Sequence, residues 1–473
     1  MSERLSPIET VMWRAGQDPT LRMTIGTLVV LDQSPSRDAL VARLEAAVSE
    51  VPRLAAHPER LAAGPGRPTW TADDDHAVEY HVRSLALAAP GSTRDLLDLV
   101  GLLESVPFDP LRSPWDATLI DGLEGGRAAL YLRAHHVLTD GVGGVRLVGL
   151  ILDEPGWPAA TAAPLESGTD ADDDDDDEGS DASARRAGTF TLTIDLPRGV
   201  RRLLRSFEAA RDVDPLEAAM RGAQRALDIA NSVSRQLMPN GDSVAANSAP
   251  PSMLSHYEVV VVDGAREAAL ALGGSRNDLL VAGAAAGLGR YYERLGRPAH
   301  DLRLVTPTTR RRTHAPGGNW FAPTRLEVPT DVSRPARQFG VVAERLAQAR
   351  CEPALRVATS LATTAGYLPT SMLLSALHAQ AASVDFAATA VPGLRGARHI
   401  CGSLIEAAYP LGPRLGCPMN VTALGNEDRL DIGVALDPNV LDQPDLLVEC
   451  LVEAFGILAA GSVASDRDPK PAR

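Results

Sequence analysis

Two rhythms of hydrophobic positions alternate along the chain: a three-to-four spacing that marks helices, and a two-residue or continuous spacing that marks strands. Ser6-Pro7-Ile8-Glu9 is a capping box with proline at the first helical position, and Ile8, Val11, Met12 and Ala15 follow at helical spacing. Residues 23–31 (MTIGTLVVL) then read as a strand, 36–50 as an amphipathic helix through Leu40, Leu44, Ala47 and Val48, and 78–83 as another strand. A helix beginning near Ser92, strands near 116–121 and 127–134, and a Gly-punctuated helix from about Val142 to Leu152 complete one α/β unit.

Residues 153–188 break the rhythm. They carry prolines, small residues and the run DADDDDDDEGSD, a composition that buries little apolar surface and predicts a solvated linker. Beyond it come a strand at 189–194 (TFTLTI), a long helical tract at 198–237, a strand at 256–262 (HYEVVVV) and a helix at 277–295. Strands near 302–308 and 320–328, helices between 334 and 382, and strands near 384–390, 400–406, 418–424 and 429–435 precede a closing helix from about Pro444. The expected organisation is an α/β half over residues 1–152, an acidic disordered linker over 153–188, a second α/β half over 189–463 and a frayed tail over 464–473.

Composition narrows the function classes. The chain has 473 residues, 45% hydrophobic and 23% charged, enough to bury one large or two ordinary cores. Its net charge of −15 argues against nucleic acid as a partner, although nine acids fall within residues 170–181 and the remainder carries only −6. Aromatic residues make up 4% of the chain, too few for a base-stacking platform. Cys351, Cys401, Cys417 and Cys450 stand far apart, as reduced structural thiols do rather than zinc ligands or disulfides. Lys470, the sole lysine, sits in a polar Pro-containing tail, which argues against a lysine nucleophile. The opening MSERLSPIETVMWRAG lacks the basic and apolar segments of a secretory signal, and no apolar run approaches the ~18 residues of a membrane span. These features predict a soluble cytoplasmic protein.

The sharpest chemical feature is RAALYLRAHHVLTDG (127–141), in which a strand delivers His135 and His136 into a turn before a helix. An imidazole at the mouth of a cleft accepts a proton near neutral pH and returns it later, which is general-base chemistry. Asp140, followed by Gly141, suits a tight loop whose carboxylate holds the loop in shape or steadies the imidazole; the bland alternative is a polar strand end. A metal is disfavoured at this motif, because adjacent strand residues point to opposite faces and no HExxH motif or cysteine cluster supplies further ligands. No GxSxG elbow appears, and no GxGxxG leads from a strand into a helix, so serine hydrolysis and dinucleotide redox chemistry are disfavoured too.

The order of motifs resembles the bacterial wax ester synthase/diacylglycerol acyltransferases, of the superfamily that includes chloramphenicol acetyltransferase and peptide-synthetase condensation domains. LSPIETVMW and MTIGTLVVLD look like that family's amino-terminal signature, and FDPLRSPWDATLIDGLEGGRAALYLRAHH like its approach to the active site. There, Pro114-Trp115 falls in a Pro-Leu-Trp motif with the leucine missing. Asn277-Asp278, TPTTRRR and Gly318-Asn319 resemble the later blocks, while ATAVPGL (388–394) has Ala390 and Leu394 where the family has asparagine and proline.

The resemblance implies two chloramphenicol-acetyltransferase-like α/β sandwich halves with an active-site channel between them. It also implies transfer of a long-chain acyl group from acyl-CoA, a co-substrate rather than a resident cofactor, to a hydrophobic alcohol. His136 would be the base, Asp140 would lock the loop through an ion pair, Gly141 would permit the turn and His135 would support them. Asn277 and Asp278 are either helix-capping residues or substrate contacts, Gly318 and Asn319 either a plain turn or a substrate-binding block, and Arg310 to Arg312 either a solvated edge or a phosphate site. A neutral-lipid product further implies a surface that touches membrane or lipid droplets. Two other readings stand beside this one: a relative with a different acceptor, and a non-catalytic protein that binds acyl groups or coats lipid droplets.

Overall fold

The computed structural model describes residues 3–59, 67–139, 141–154, 243–244, 249–309, 321–331, 333–351, 362–363, 365–366 and 368–465. Two six-stranded sheets, each backed by helices, carry the architecture. A small antiparallel sheet of β1 (Glu3–Arg4), β3 (Ala56–Glu59) and β4 (Thr69–Ala72) flanks them. The mixed α/β class expected from the sequence is the one observed.

The first large sheet runs through β2 (Thr24–Leu31), β5 (Val82–Ala86), β6 (Trp115–Asp121) and β7 (Ala128–His135). β2 pairs antiparallel with β7, and β7 antiparallel with β6. The capping box read from the sequence forms as expected, Ser6 with Glu9 opening the helix Pro7–Ala15; the helix expected to begin near Ser92 is Thr93–Ser105, and the structure adds a second box there, Ser92 with Asp95.

The second sheet holds β8 (His256–Val262), β9 (Asp301–Thr309), β10 (Phe321–Pro329), β11 (Phe386–Pro392), β14 (Met419–Asn426) and β15 (Arg429–Leu436), in the order β10-β9-β11-β14-β15-β8. Against it packs the helix Arg276–Arg294, whose run of small residues lets the helix Pro444–Ser465 approach closely. At Gly283 an added Cβ would stand 2.1 Å from the Phe455 ring, so only glycine fits there.

The halves are not separate in sequence. β12 (His399–Ile400) and β13 (Ser403–Leu411) belong to the second half of the chain but join the first sheet, β13 pairing antiparallel with β2. Strand alternation predicts such a segment, but not which sheet receives it. The two cores that face the first sheet accordingly include residues of both halves: Val391 and Leu424 on one side, Tyr257, Leu411 and Ala435 on the other.

Three expectations change. Residues 78–81 form a short helix, with the strand starting only at Val82, and a helix at Ala265–Ala271 was not foreseen. Asp153 and Glu154, placed in the linker, are instead anchored: Asp153 accepts from the backbone N–H groups of Cys401 (3.0 Å) and Gly402 (2.6 Å), and Glu154 from that of His399 (2.9 Å). The rest of the linker, the expected strand at 189–194, the helical tract at 198–237 and residues 466–473 lie outside the described residues. Among the described residues, no helix is long and apolar enough to cross a membrane.

Candidate active site

β7 ends at His135, whose N–H donates to Pro114 O (2.9 Å), and the chain turns as Leu138 N–H donates to His135 O (2.9 Å). His136 N–H donates to Met23 O at 2.6 Å, which ties the turn to the start of β2. Strand alternation sends the two imidazoles into different surroundings.

His135 is buried, packs edge-on to Trp13 at 5.1 Å between ring centroids, and accepts from Val137 N–H through Nδ1 (3.1 Å). That bond puts its proton on Nε2. Burial, with some repulsion from His136, pushes its pKa down to about 3, so the ring stays neutral near pH 7. An added Cβ at Gly16 would lie 2.4 Å from His135 Nε2, so the end of the first helix seats this ring closely.

His136 is half-buried and borders a cavity of about 450 Å³. One wall comes from the first half, with Ile25, Leu44, Ala134, Leu147 and Val148. The facing wall comes from the second, with Val305, Ala387, Val391 and Leu411. Leu132 and Ala134 on β7 and His136 just beyond its end, two residues apart in turn, all line the cavity, which sets the imidazole beside an apolar wall. Polar side chains interrupt the largely aliphatic lining, among them Thr27, Asn277, Thr306, Arg350, Asn420 and Thr422. Thr422 donates to Asn420 Oδ1 (2.8 Å) and Asn420 Nδ2 to Pro413 O (2.7 Å), fixing the loop that leaves β13.

Asn277 and Asp278 part company. The N-cap is Ser275, whose hydroxyl and backbone N–H both donate to Asp278 Oδ2 (2.7 and 2.8 Å) while the Asp278 N–H returns to Ser275 Oγ (3.3 Å), so Asp278 closes a capping box. Asn277 lines the cavity and accepts from Ala390 N–H through Oδ1 (3.2 Å). It thereby braces β11 at the position where the chain lacks the family's usual asparagine. Gly141 is the first residue of the helix Gly141–Leu150. Asp140, Gly318, Asn319 and Arg310 to Arg312 lie outside the described residues.

Sequence reasoning missed a buried ion pair beside the cavity. Arg133 Nε and Nη2 donate to the two carboxylate oxygens of Asp116 at 2.8 and 2.7 Å, and Nη1 donates to Leu103 O and Val106 O. Burial disfavours the guanidinium charge, but Asp116 outweighs burial and lifts the Arg133 pKa. The partial signal was a charge amid largely apolar residues on each strand, Asp116 near the start of β6 and Arg133 within β7; the register makes the two partners.

Known proteins resemble this chain along most of its length. A model of the wax ester synthase/diacylglycerol acyltransferase catalytic domain matches residues 5–280, and one of the WS/DGAT C-terminal domain matches residues 317–459. A protein of Mycobacterium tuberculosis named as a diacylglycerol O-acyltransferase is 30% identical over 97% of this chain and 92% of its own length. The solved wax ester synthase/diacylglycerol acyltransferase from Marinobacter aquaeolei VT8 superposes with a TM-score of 0.60 at 20% identity, covering 97% of this chain and 100% of that one. The first condensation domain of the calcium-dependent antibiotic synthetase superposes at 0.58 with 18% identity, covering 99% of each chain, so the two share a fold. By the extent of both domain matches and of its mycobacterial relative, the chain belongs to the wax ester synthase/diacylglycerol acyltransferase family.

Proposed function

We propose that this acyltransferase moves a long-chain acyl group from acyl-CoA to a hydrophobic alcohol, diacylglycerol or a fatty alcohol, giving triacylglycerol or wax ester. The observation that carries the reading is His136 at the wall of an apolar cavity to which both halves contribute. Its imidazole removes the hydroxyl proton as the alcohol oxygen attacks the thioester carbonyl; the C–S bond then breaks and the proton passes to the departing thiolate. Base and acid are one residue, and no covalent enzyme intermediate is required. Neutral His135 holds the turn that precedes the helix Gly141–Leu150 without exchanging protons.

The lining supports the choice of substrates. The aliphatic stretches of the wall suit an alkyl chain, and polar groups such as Asn277, Thr306 and Asn420 suit the ester and hydroxyl region. A product that leaves water calls for delivery at a membrane or lipid-droplet surface. The test is purified protein with radiolabelled palmitoyl-CoA and a panel of hexadecanol, diacylglycerol and short alcohols, beside His136→Ala. Ester formation with the long acceptors, reduced at least ~100-fold in the variant, is expected. Equal acyl-CoA binding by both proteins with no turnover by either would replace the enzyme with a binding protein.

A further inference from the structure

We propose that Asp73, His76 and His81 form a binding site for a divalent metal ion of the zinc class, set behind Trp115. One ligand atom from each residue lies within 4.8 Å of the others. None of the three lines the cavity that His136 borders.

Local structure brings them together. Asp73 follows β4 and its N–H donates to Ala55 O (2.9 Å); a turn closed by His76 N–H to Asp73 O (3.1 Å) folds His76 back; the short helix Val78–His81 delivers His81. The imidazoles stand 5.1 Å apart at a 34° tilt. His81 is 2% exposed, and the side chains of Asp73 and His76 are 5% and 12% exposed. Burial of this kind normally comes with partners for every polar atom. Here Asp73 Oδ2, His81 Nε2 and both ring nitrogens of His76 lack a hydrogen bond, and the approach of His76 Nδ1 to Asp73 Oδ2, 3.9 Å, is too long to be one.

The surroundings orient the orphaned atoms as outer partners orient metal ligands. His81 Nδ1 donates to Trp115 O at 2.7 Å, which leaves the Nε2 lone pair facing the cluster, and its ring stacks on the Trp115 indole at 4.3 Å and 11°. Arg112 Nη1 holds Asp73 Oδ1 at 2.7 Å and leaves Oδ2 inward. Burial favours the neutral form of both imidazoles, the form that ligates. Two imidazoles and one carboxylate are a donor set that zinc takes at about 2.0–2.2 Å, with water in the fourth position. Neighbouring ligand atoms then lie roughly 3.3 Å apart, which rotation of His76, the least buried of the three, can reach. Such an ion clamps the segment 73–81 against Trp115, a residue of the cavity wall whose Nε1 donates to Leu54 O (2.8 Å). Its role is to position that wall, not to act on substrate.

The test uses the full chain stripped of metal. Cobalt(II) should be taken up at one equivalent per chain with visible bands of a four- or five-coordinate ion, and zinc should displace it. Zinc should raise the melting temperature by roughly 3 °C at saturation. His76→Ala should weaken cobalt binding at least ~100-fold and abolish the thermal shift, with its circular dichroism unchanged because that ring makes no hydrogen bond. Uptake by the wild type with only the faint bands of hexaaqua-like cobalt, or equal uptake by wild type and variant, would overturn the proposal. Asp73→Asn gives an independent reading: undiminished affinity would remove the carboxylate from the site. None of these outcomes depends on turnover, so failure of the metal site and failure of the acyltransferase reading are distinguishable.

Discussion

Replacing Asp116 by asparagine is expected to destabilise the first half by about 3 kcal/mol, because it leaves the buried Arg133 charge without its counter-ion. The side chains of Arg133 and Asp116 are 1% and 5% exposed and joined by two parallel bonds. At an effective dielectric of about 20 and a charge separation of about 4 Å, their attraction is ~4 kcal/mol. Desolvation of both ions offsets most of that gain, so the pair adds little over two apolar residues, whereas losing one partner costs about 3–5 kcal/mol. Asparagine keeps one acceptor for Nε, which sets the expectation at the lower end. Arg133→Met also strips a donor from Leu103 O and Val106 O at the end of the helix Thr93–Ser105. The single variants Asp116→Leu and Arg133→Met and their combination form a double-mutant cycle, read by urea unfolding through tryptophan fluorescence. A coupling of about 2–3 kcal/mol is expected, with the double variant more stable than either single sum predicts. Strict additivity, within about 0.5 kcal/mol, would refute the reasoning.

Gly16→Ala should lower the esterification rate several-fold while costing about 1–3 kcal/mol of stability, since its Cβ displaces the His135 ring next to the base; the rate penalty should largely vanish in a His135→Ala background. Asp278→Ala should cost about 1 kcal/mol in thermal unfolding with little change in rate, as expected for a capping box, and a rate loss without a stability loss would make it a substrate contact. Glu104 is fully buried and receives the Tyr131 hydroxyl; burial raises its pKa from 4.5 to about 7. The neutral acid is the favoured folded form, so its contribution is complete below about pH 4.5 and is lost as pH rises through 7, up to about 3 kcal/mol in all. Glu104→Gln should therefore flatten the decline in unfolding midpoint between pH 5 and 8, and an unchanged slope would remove Glu104 from that decline.

The sequence made local features legible wherever the chemistry is local. The capping box at Ser6 could be read from four residues, and β2 and β7 from their largely apolar runs. Residues 78–81 were misread because Val78, Tyr80 and Val82 alternate as a strand does, while the decisive contact is His81 against the Trp115 carbonyl, 34 residues away. β13 was legible as a strand, but its place beside β2 depends on pairing across more than 370 residues, which no local pattern encodes. At the site, His136 was read from its motif, whereas the Arg133–Asp116 pair needed the sheet register to bring two lone charges together.

That register also explains why two adjacent histidines divide their roles. A slip of one residue between β6 and β7 would exchange the faces of every side chain on β7, carrying His136 into the dry pocket and His135 into the cavity. In the dry pocket an imidazole is held near pKa 3 by burial, too weak a base to take an alcohol proton. Apolar residues alone resist such a slip poorly here, because β7 is flanked by aliphatic side chains on both faces. A bidentate ion pair resists it well: Asp116 and Arg133 meet only in the observed alignment, with Trp115 opposite Ala134 one step nearer the turn. The pair therefore contributes through specificity more than net stability, and the cycle on Asp116 and Arg133 probes the same feature that selects which imidazole borders the cavity.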